Sequence, residues 1–284
     1  MKKANKILLL LSLLLCLIGG VIFGIGSWAG GVDALHELRG NRTQSYDQDK
    51  TPLDTFTKID ANLNYADLTI RPSDDDKAYL EYHIDGPSNI KPLTATVKDD
   101  TLHLADWYSD EGYGYIHYNV LDLLDQLLAD DQRIPMQEAR AILYLPQSAL
   151  ADCSIDSDTG NLDIDGLTAD TLSLKLGAGD LALANCIFAD SDISVEIGDL
   201  TAEGLTLSGE NTISTETGSI TLGLANPDAL TIDATSEIGE IDLSDRYTSG
   251  ALRETYDGSR FTQKPQNATG QLTLNAEIDN ISLK

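Results

Sequence analysis

The sequence between Cys153 and the C-terminus repeats a short pattern about every 20 residues. Each copy begins with glycine, continues with a small polar or acidic residue, and then alternates apolar residues with others. The glycine-led copies are Gly160-Asn-Leu-Asp-Ile164, Gly179-Asp-Leu-Ala-Leu183, Gly198-Asp-Leu-Thr-Ala202, Gly218-Ser-Ile-Thr-Leu222 and Gly239-Glu-Ile-Asp-Leu243. A sixth copy, Asp279-Asn-Ile-Ser-Leu283, follows 40 residues after Gly239, with aspartate at the glycine position.

A fixed period near 20 residues is typical of structures in which each repeat adds one layer to a stack. Glycine followed by asparagine or aspartate favours a tight turn, because glycine adopts positive φ without steric cost. The alternation after each turn has the period of two that places side chains on opposite faces of a strand. One unit cannot cover its own apolar face, whereas a stack of units can. The sequence therefore predicts an all-β fold, a solenoid-like stack of short strands.

Two of the three cysteines are predicted to lie in the core of this stack. When the copies are aligned, Cys153 takes the place of Leu172, and Cys186 takes the place of Leu167. A buried thiol behaves as a small hydrophobic side chain. The alignment leaves a bond between the two cysteines open, but a single pair does not define a disulfide framework, and we expect no disulfide. Their spacing does not fit a zinc site.

The N-terminal segment from Ile7 to Trp28 is uncharged and rich in leucine and isoleucine. A helix of this length would be about 33 Å long, which is enough to cross a hydrocarbon core of about 30 Å. The segment therefore predicts a transmembrane helix at residues 7–28. A cleaved signal peptide that ends near Ala29 is the alternative, although its apolar core usually has only about 7–15 residues.

The charge distribution predicts how this helix is oriented. Residues 1–6 contain three lysines, and no acidic residue occurs before Asp33. Basic residues favour the cytoplasmic side, so we expect a cytoplasmic tail at 1–6, a linker at 29–52 and an extracytoplasmic domain at 53–284. The chain has 46 acidic and 19 basic residues, a formal net charge of −27. Such a surface repels phosphate backbones, which argues against nucleic acid as a partner.

The outer domain also contains segments that do not follow the glycine-led repeat. Ala66-Asp-Leu-Thr-Ile70 copies the pattern with alanine first, so residues 54–104 are predicted to form the first strands and to cap the stack. Residues 105–140 are predicted to be an insert, in which Asn119 caps a helix that runs through Asp130. Residues 245–271 contain glycines and a proline with little periodicity, which predicts an irregular loop.

Four aromatic residues of the insert are the strongest candidates for ligand contacts: Trp107, Tyr108, Tyr113 and Tyr115. Aromatic faces stack on sugar rings, and aromatic residues are enriched where proteins bind one another. The alternative interpretation is that these side chains, together with the predicted helix, cover one end of the stack.

These features resemble a known bacterial family. Phe56 to Ile70, the strand Ala141-Ile-Leu-Tyr-Leu-Pro146 and the Gly-Asp-Leu repeats are similar to the "putative adhesin" β-strand-repeat domain, whose function is unknown. The resemblance covers roughly residues 50–284. It implies a β-solenoid or toast-rack-like fold, attachment to the membrane by one N-terminal helix, and a role at the cell envelope. The family offers no catalytic residues to carry over.

We find no catalytic constellation in the sequence. The histidines are scattered, and none accompanies a serine or cysteine that it could activate; they are His36, His83, His103 and His117. The acidic stretch Asp156 to Asp165 resembles a loose calcium loop but lacks the distal bidentate glutamate that such a loop requires. We therefore expect no catalytic residue, no metal and no cofactor.

The sequence favours a non-catalytic, adhesin-like protein that binds or scaffolds at the bacterial cell envelope. Its partner is expected to be an envelope component or a membrane protein. One alternative is a carbohydrate-active enzyme of β-helix type, which would need a pair of carboxylates in a cleft. Another alternative is an envelope-stress sensor. That role would need a partner in the membrane, because only six residues precede the predicted span.

Overall fold

A computed structural model of the chain describes residues 43–87, 93–106, 139–247, 249–255 and 258–284, together with Gly19 and Ile25. The chain divides into two compact units, one of residues 1–44 and 86–90, the other of residues 45–85 and 91–284. The predicted transmembrane helix, apart from those two residues, the predicted helix at 119–130 and the aromatic candidates all lie outside the described residues. In the part of the chain that is described, no helix has the length and hydropathy needed to cross a membrane.

The described residues form an all-β structure, as the sequence predicts. Two short 3-10 turns, Pro227–Ala229 and Asp245–Tyr247, accompany the strands. The strands are β1 Thr43–Pro52, β2 Lys58–Leu63, β3 Asp67–Pro72, β4 Tyr79–Pro87, β5 Leu93–Lys98, β6 Thr101–Asp106, β7 Ala139–Leu145, β8 Asp152–Thr159, β9 Leu162–Asp165, β10 Thr168–Ala178, β11 Leu181–Ala184, β12 Ile187–Ile197, β13 Leu200–Leu207, β14 Gly209–Thr217, β15 Ile220–Leu224, β16 Leu230–Ile238, β17 Ile241–Leu243, β18 Ala251–Thr255, β19 Gly258–Gln263, β20 Gly270–Ile278 and β21 Ile281–Leu283.

Each repeat contributes one strand to each of two sheets. Sheet A contains β3, β9, β11, β13, β15, β21 and β17, and sheet B contains β2, β8, β10, β12, β14, β20 and β16; within each sheet these neighbours pair in parallel. We call one strand of each sheet and the turn between them a coil. The parallel pairing confirms the stack of short strands that the 20-residue period predicts.

The core is built from rows of equivalent residues in successive coils. Leu162 pairs with Leu181, which pairs with Leu200, and all three side chains are buried. Cys153 pairs with Leu172 in sheet B, as the alignment predicts. Cys186 precedes Ile187, the partner of Thr168, and is also completely buried. Both thiols therefore pack as core side chains.

The coils do not stack in the order of the sequence. The last coil, β20–β21, lies between β14–β15 and β16–β17, so it forms interior strands in both sheets. The first coil, β2–β3, is placed in the same way, between β6–β7 and β8–β9. The first coil therefore lies between two coils that follow it in the sequence, and the last coil lies between two coils that precede it.

The structure corrects the predicted linker at 29–52. Residues 43–52 form β1, which pairs with β4. Ser45 Oγ donates a hydrogen bond to Asp85, and the His83 ring contacts the Asp47 carboxylate. The side chains of residues 45–52 are mostly exposed, so an edge strand of this kind has the polar composition of a linker and no apolar period that would reveal it.

The irregular loop predicted at 245–271 is also corrected. Strands β18 and β19 form an antiparallel hairpin, and β19 pairs with β16 at the edge of sheet B. The inward face of β19 carries Ser259, Phe261 and Gln263, all buried. Only one of these residues is apolar, so the strand shows no alternation in sequence. Gln263 is held in the core by a hydrogen bond of 2.9 Å from its Nε2 to the carbonyl oxygen of Pro227.

Candidate functional site

The residues directly before four of the turns make up an exposed strip that we call the Glu–Ile edge. In each of these coils a glutamate is followed by isoleucine or threonine, and the next residue begins the turn. Its members, in spatial order, are Glu196 and Ile197, Glu216 and Thr217, Glu277 and Ile278, and Glu237 and Ile238.

Strand pairing aligns the second member of each pair in one row. Ile197 pairs with Thr217, Thr217 with Ile278, and Ile278 with Ile238. Neighbouring strands lie about 4.8 Å apart, so the four side chains form a continuous line along the stack. The row exists only because the last coil, β20–β21, lies between the coils that contain β14 and β16. Without that placement, Ile278 would not lie beside Ile238.

The isoleucines of this row are exposed although they belong to regular strands. Relative exposure is 60% for Ile197, 49% for Ile278 and 66% for Ile238. A single exposed apolar residue is ordinary on a protein surface and needs no explanation. Ile278 and Ile238 lie on adjacent strands, and Thr217 separates them from Ile197. Three exposed isoleucines in one row are an apolar feature of the kind that marks interaction surfaces.

The four glutamates of the edge also lie on neighbouring strands, so four negative charges follow one another along the stack. All four side chains are exposed, and none has an ion-pair partner among the residues that the structure describes. Like charges on directly adjacent strands destabilise a sheet. Acidic residues also flank the isoleucine row on its turn side, where Asp199, Asp279 and Glu240 are exposed. In three of the four coils the isoleucine therefore lies, along the chain, between a glutamate and an acidic turn residue, and the edge exposes apolar side chains beside stacked like charges.

The backbone holds the edge in place. The carbonyl oxygens of Ile197, Thr217 and Ile238 each accept a hydrogen bond of 2.9 Å from the first turn residue of the neighbouring coil. Gly218 donates to Ile278 in the same way, at 3.2 Å. These bonds run from coil to coil along the stack, so the edge is a fixed platform rather than a free loop.

Glycine is required in these turns by both conformation and space. Gly179 has φ +145, and a β carbon there would lie 2.1 Å from the carbonyl oxygen of Gly160. Gly198 has φ +145, and a β carbon there would lie 1.9 Å from the carbonyl oxygen of Gly179. An added methyl group would push neighbouring coils apart. The glycine of the repeat therefore brings the turns into direct contact.

The small polar residue after each glycine links the coils. Asn161 accepts a hydrogen bond from the Asp180 backbone N–H at 3.0 Å, and Asp180 accepts one from Asp199 N–H at the same distance. Asp199 then accepts from Ser219 N–H at 2.8 Å. The carboxylates and amides of the turns thus satisfy backbone donors. This structural use explains their regular occurrence.

The other predicted features have structural partners. Asp163, in the calcium-like stretch, accepts a hydrogen bond of 3.0 Å from the Arg71 guanidinium, and His103 points outward and contacts Asp60. No group of potential metal ligands occurs among the described residues. Burial raises the pKa of the Cys153 thiol to about 12 and that of Cys186 to about 11, so both stay protonated at neutral pH.

The aromatic candidates Trp107, Tyr108, Tyr113 and Tyr115 lie outside the described residues, and their role stays a prediction. The Glu–Ile edge, in contrast, was not predicted from the sequence. Its signal was present as a glutamate followed by isoleucine or threonine directly before four turn positions. That signal has meaning only once the turn is known to leave both side chains outside the core.

Comparison with a family model supports the fold. The model of the family described as Toastrack DUF4097 matches residues 134–284, more than half of the chain, and confirms the predicted family resemblance. A "putative cell adhesion protein" of Clostridium sporogenes shares 14% identity at a TM-score of 0.41, over 86% of this chain and 99% of that one. A "putative adhesin" of Bacteroides fragilis shares 16% identity at a TM-score of 0.35, over 86% and 97%. No curated protein matches the sequence significantly.

Proposed function

The chain belongs to the Toastrack DUF4097 family, and on that premise we propose that it is a non-catalytic binding or scaffolding protein of the bacterial cell envelope. The segment Ile7 to Trp28 anchors it in the membrane, and its β-repeat domain lies outside the cell. The observation that carries the proposal is the Glu–Ile edge, where exposed isoleucines form a row beside stacked, exposed glutamates.

Binding is the use that accounts for both parts of this surface. Covering the isoleucines would remove apolar area from water, at about 25 cal/mol for each Å². Cationic groups placed beside the glutamates would relieve the repulsion between stacked carboxylates. A partner that supplies both groups satisfies the whole strip at once. The surface of the domain therefore fits a polypeptide that presents basic and apolar side chains.

The charge of the chain narrows the class of partner. The chain has a formal net charge of −27, so its domain repels anionic lipid head groups and phosphate-bearing wall polymers. A basic protein of the envelope is attracted, and the attraction weakens as salt is added. The partner is accordingly an envelope or membrane protein with a basic, partly apolar surface.

Binding is tested with the full chain and envelope proteins from the same bacterium. The variant Ile197→Thr/Ile278→Thr/Ile238→Thr removes the apolar row, and threonine already occurs in the row as Thr217. Ile187→Thr is the matched control, since Ile187 is 48% exposed but lies elsewhere. Proteins retained by the wild type and by the control should be lost from the triple variant. A purified partner should then bind the triple variant at least about tenfold more weakly.

Equal retention by the wild type and the triple variant would exclude the edge as the binding surface. Membrane attachment is tested separately with a protease added to intact cells. The full chain should lose its domain while a cytoplasmic marker protein stays intact. A domain that is protected until the cells are lysed would contradict the proposed location.

A further inference from the structure

We infer that the partner segment on the Glu–Ile edge is a basic amphipathic α-helix that lies along the stack, with about one helical turn against each coil. This inference rests on the proposed binding function and specifies the shape of the partner. It follows from the spacing of the isoleucine row, from the hydrogen bonds of its backbone, and from the charges on its two sides.

The spacing of the row matches a helix better than an extended chain. Adjacent coils are about 4.8 Å apart, so four coils place their side chains at intervals that span about 14 Å. Successive turns of an α-helix are 5.4 Å apart, and three turns differ from the row by only about 2 Å. Side chains on one face of a strand recur about every 6.8 Å, so three such intervals exceed the length of the row by about 6 Å.

Backbone pairing with an added strand is not available on this edge. A peptide that adds to a sheet binds through free backbone donors and acceptors of an edge strand. Here the carbonyl oxygens of Ile197, Thr217, Ile278 and Ile238 already accept hydrogen bonds from the neighbouring turns. The edge therefore offers side chains and not an open backbone, and a helix, whose own backbone bonds are satisfied internally, suits such a surface.

The charges on both sides of the row define the helix further. Glutamates flank the isoleucines on the sheet B side, and Asp199, Asp279 and Glu240 flank them on the turn side. A matching helix carries a narrow apolar stripe at positions i, i+4, i+7 and i+11, with lysine or arginine on both borders of the stripe. Such a segment opposes each acidic row with a basic one.

The segment comes from another protein rather than from this chain. The segment of the chain with predicted amphipathic helical character, residues 119–130, contains three acidic residues and no basic residue. Its charge repels the Glu–Ile edge. The three lysines at positions 2, 3 and 6 precede an uncharged apolar segment and carry no amphipathic pattern.

Thr217 gives the inference a gain-of-function test. It is exposed and is the one polar member of the row. Thr217→Ile would complete a continuous apolar line of four side chains without entering the core. Binding of the helix should strengthen about three- to tenfold, because one further apolar contact is buried.

The test compares two synthetic peptides of identical composition, both made of leucine, lysine and alanine. In one, leucines recur at positions 1, 5, 8 and 12, and in the other they alternate with lysines at period two. Fluorescence anisotropy with the full chain measures both affinities at about 0.15 M salt. We expect the helical pattern to bind at least about tenfold more tightly, and circular dichroism to show a gain of helix on binding.

The variants then locate the site. Thr217→Ile should tighten binding of the helical peptide, the triple isoleucine variant should weaken it, and Ile187→Thr should leave it unchanged. Equal or tighter binding of the period-two peptide, with the same dependence on the edge variants, would overturn the helical inference but leave the binding function standing. Affinities for both peptides that do not respond to any edge variant would overturn the inference, and the retention experiment with envelope proteins then decides the proposed function independently.

Discussion

Asp279 stacks directly against Gly239, although 40 residues separate them in the sequence. A β carbon on Gly239 would lie 2.2 Å from the carbonyl oxygen of Asp279. The contact places the last turn of the chain beside the turn of the fifth copy. Because β20 pairs with β16 on this side and with β14 on the other, the C-terminal coil is an interior layer of the stack, and Ile278 and Ile238 share one exposed row.

Replacing a turn glycine should destabilise the stack strongly. In Gly179→Ala the new methyl group meets the Gly160 carbonyl, and φ +145 is unfavourable for alanine by about 1–3 kcal/mol even before the contact is relieved. Gly223→Ala is the matched control, since Gly223 lies in a strand and its β carbon would have ordinary contacts of 3.4 Å or more. Urea denaturation should show a large decrease in the free energy of unfolding for Gly179→Ala. The control should change by less than about 1 kcal/mol.

At position 279, glycine should be tolerated better than alanine, because Asp279 adopts φ +123 where the other copies of the repeat have glycine. Both substitutions remove the carboxylate, which accepts hydrogen bonds of 3.1 Å from Ser219 Oγ and from the Asn280 N–H. Only Asp279→Gly also relieves the backbone. We expect Asp279→Gly to be more stable than Asp279→Ala by about 1–3 kcal/mol in thermal or urea denaturation. Equal stability of the two variants would show that the backbone conformation of Asp279 costs nothing.

The last coil should contribute core stability despite its terminal position. Leu274 is completely buried and pairs with Ile213 on one side and Ala234 on the other. Leu274→Ala should therefore cost about 2–5 kcal/mol, as expected for an interior leucine. Thr273→Ala, one residue away on the outer face, should cost less than about 0.5 kcal/mol. Similar, small losses in both variants would mean that the coil is a peripheral addition and not an interior layer.

The two cysteines should be unreactive until the domain unfolds. Both are free, buried thiols, and burial holds the pKa of Cys153 near 12 and that of Cys186 near 11. A thiol reagent at about pH 8 should label neither of them in native protein and both in guanidinium chloride. Rapid labelling of the native protein would contradict their placement in the core.

Alkaline pH should remove a stabilising contribution from Cys153. Its folded pKa of about 12 exceeds the ordinary value of 9.0, so its contribution is complete below about pH 9 and is lost as the pH rises toward 12. Between about pH 8 and pH 10.5 the wild type should lose about 2 kcal/mol relative to Cys153→Ala. Urea denaturation of both proteins at the two pH values measures the difference. A constant difference would rule out the raised pKa.

The sequence determined the local geometry of each coil. Glycine before Asn161, Asp180 and Asp199 required a turn with positive φ, and the alternation that follows required strands with one buried face. The same alternation assigned Cys153 and Cys186 to the core, where both are completely buried. These features were legible because each depends on residues that are neighbours in the chain.

Strands β1 and β19 could not be predicted from the sequence, because neither has the alternation of apolar and polar residues that indicates a strand with one buried face. Strand β1 is a polar edge strand, and β19 buries Ser259 and Gln263 beside its single apolar residue, Phe261. In both strands the assignment depends on backbone pairing with another strand. No pattern within either segment shows that such a partner exists.

Only the tertiary structure decided which coils are neighbours. Every coil presents similar apolar rows and the same backbone donors and acceptors, so many stacking orders are compatible with the repeat. The packing of the whole domain placed the coil of Leu274 between those of Ile213 and Ala234. That choice satisfies both faces of the inserted coil and aligns the Glu–Ile edge. A repeat fixes how each layer folds, because that depends on local residues, whereas the order of layers depends on contacts between segments distant in the chain.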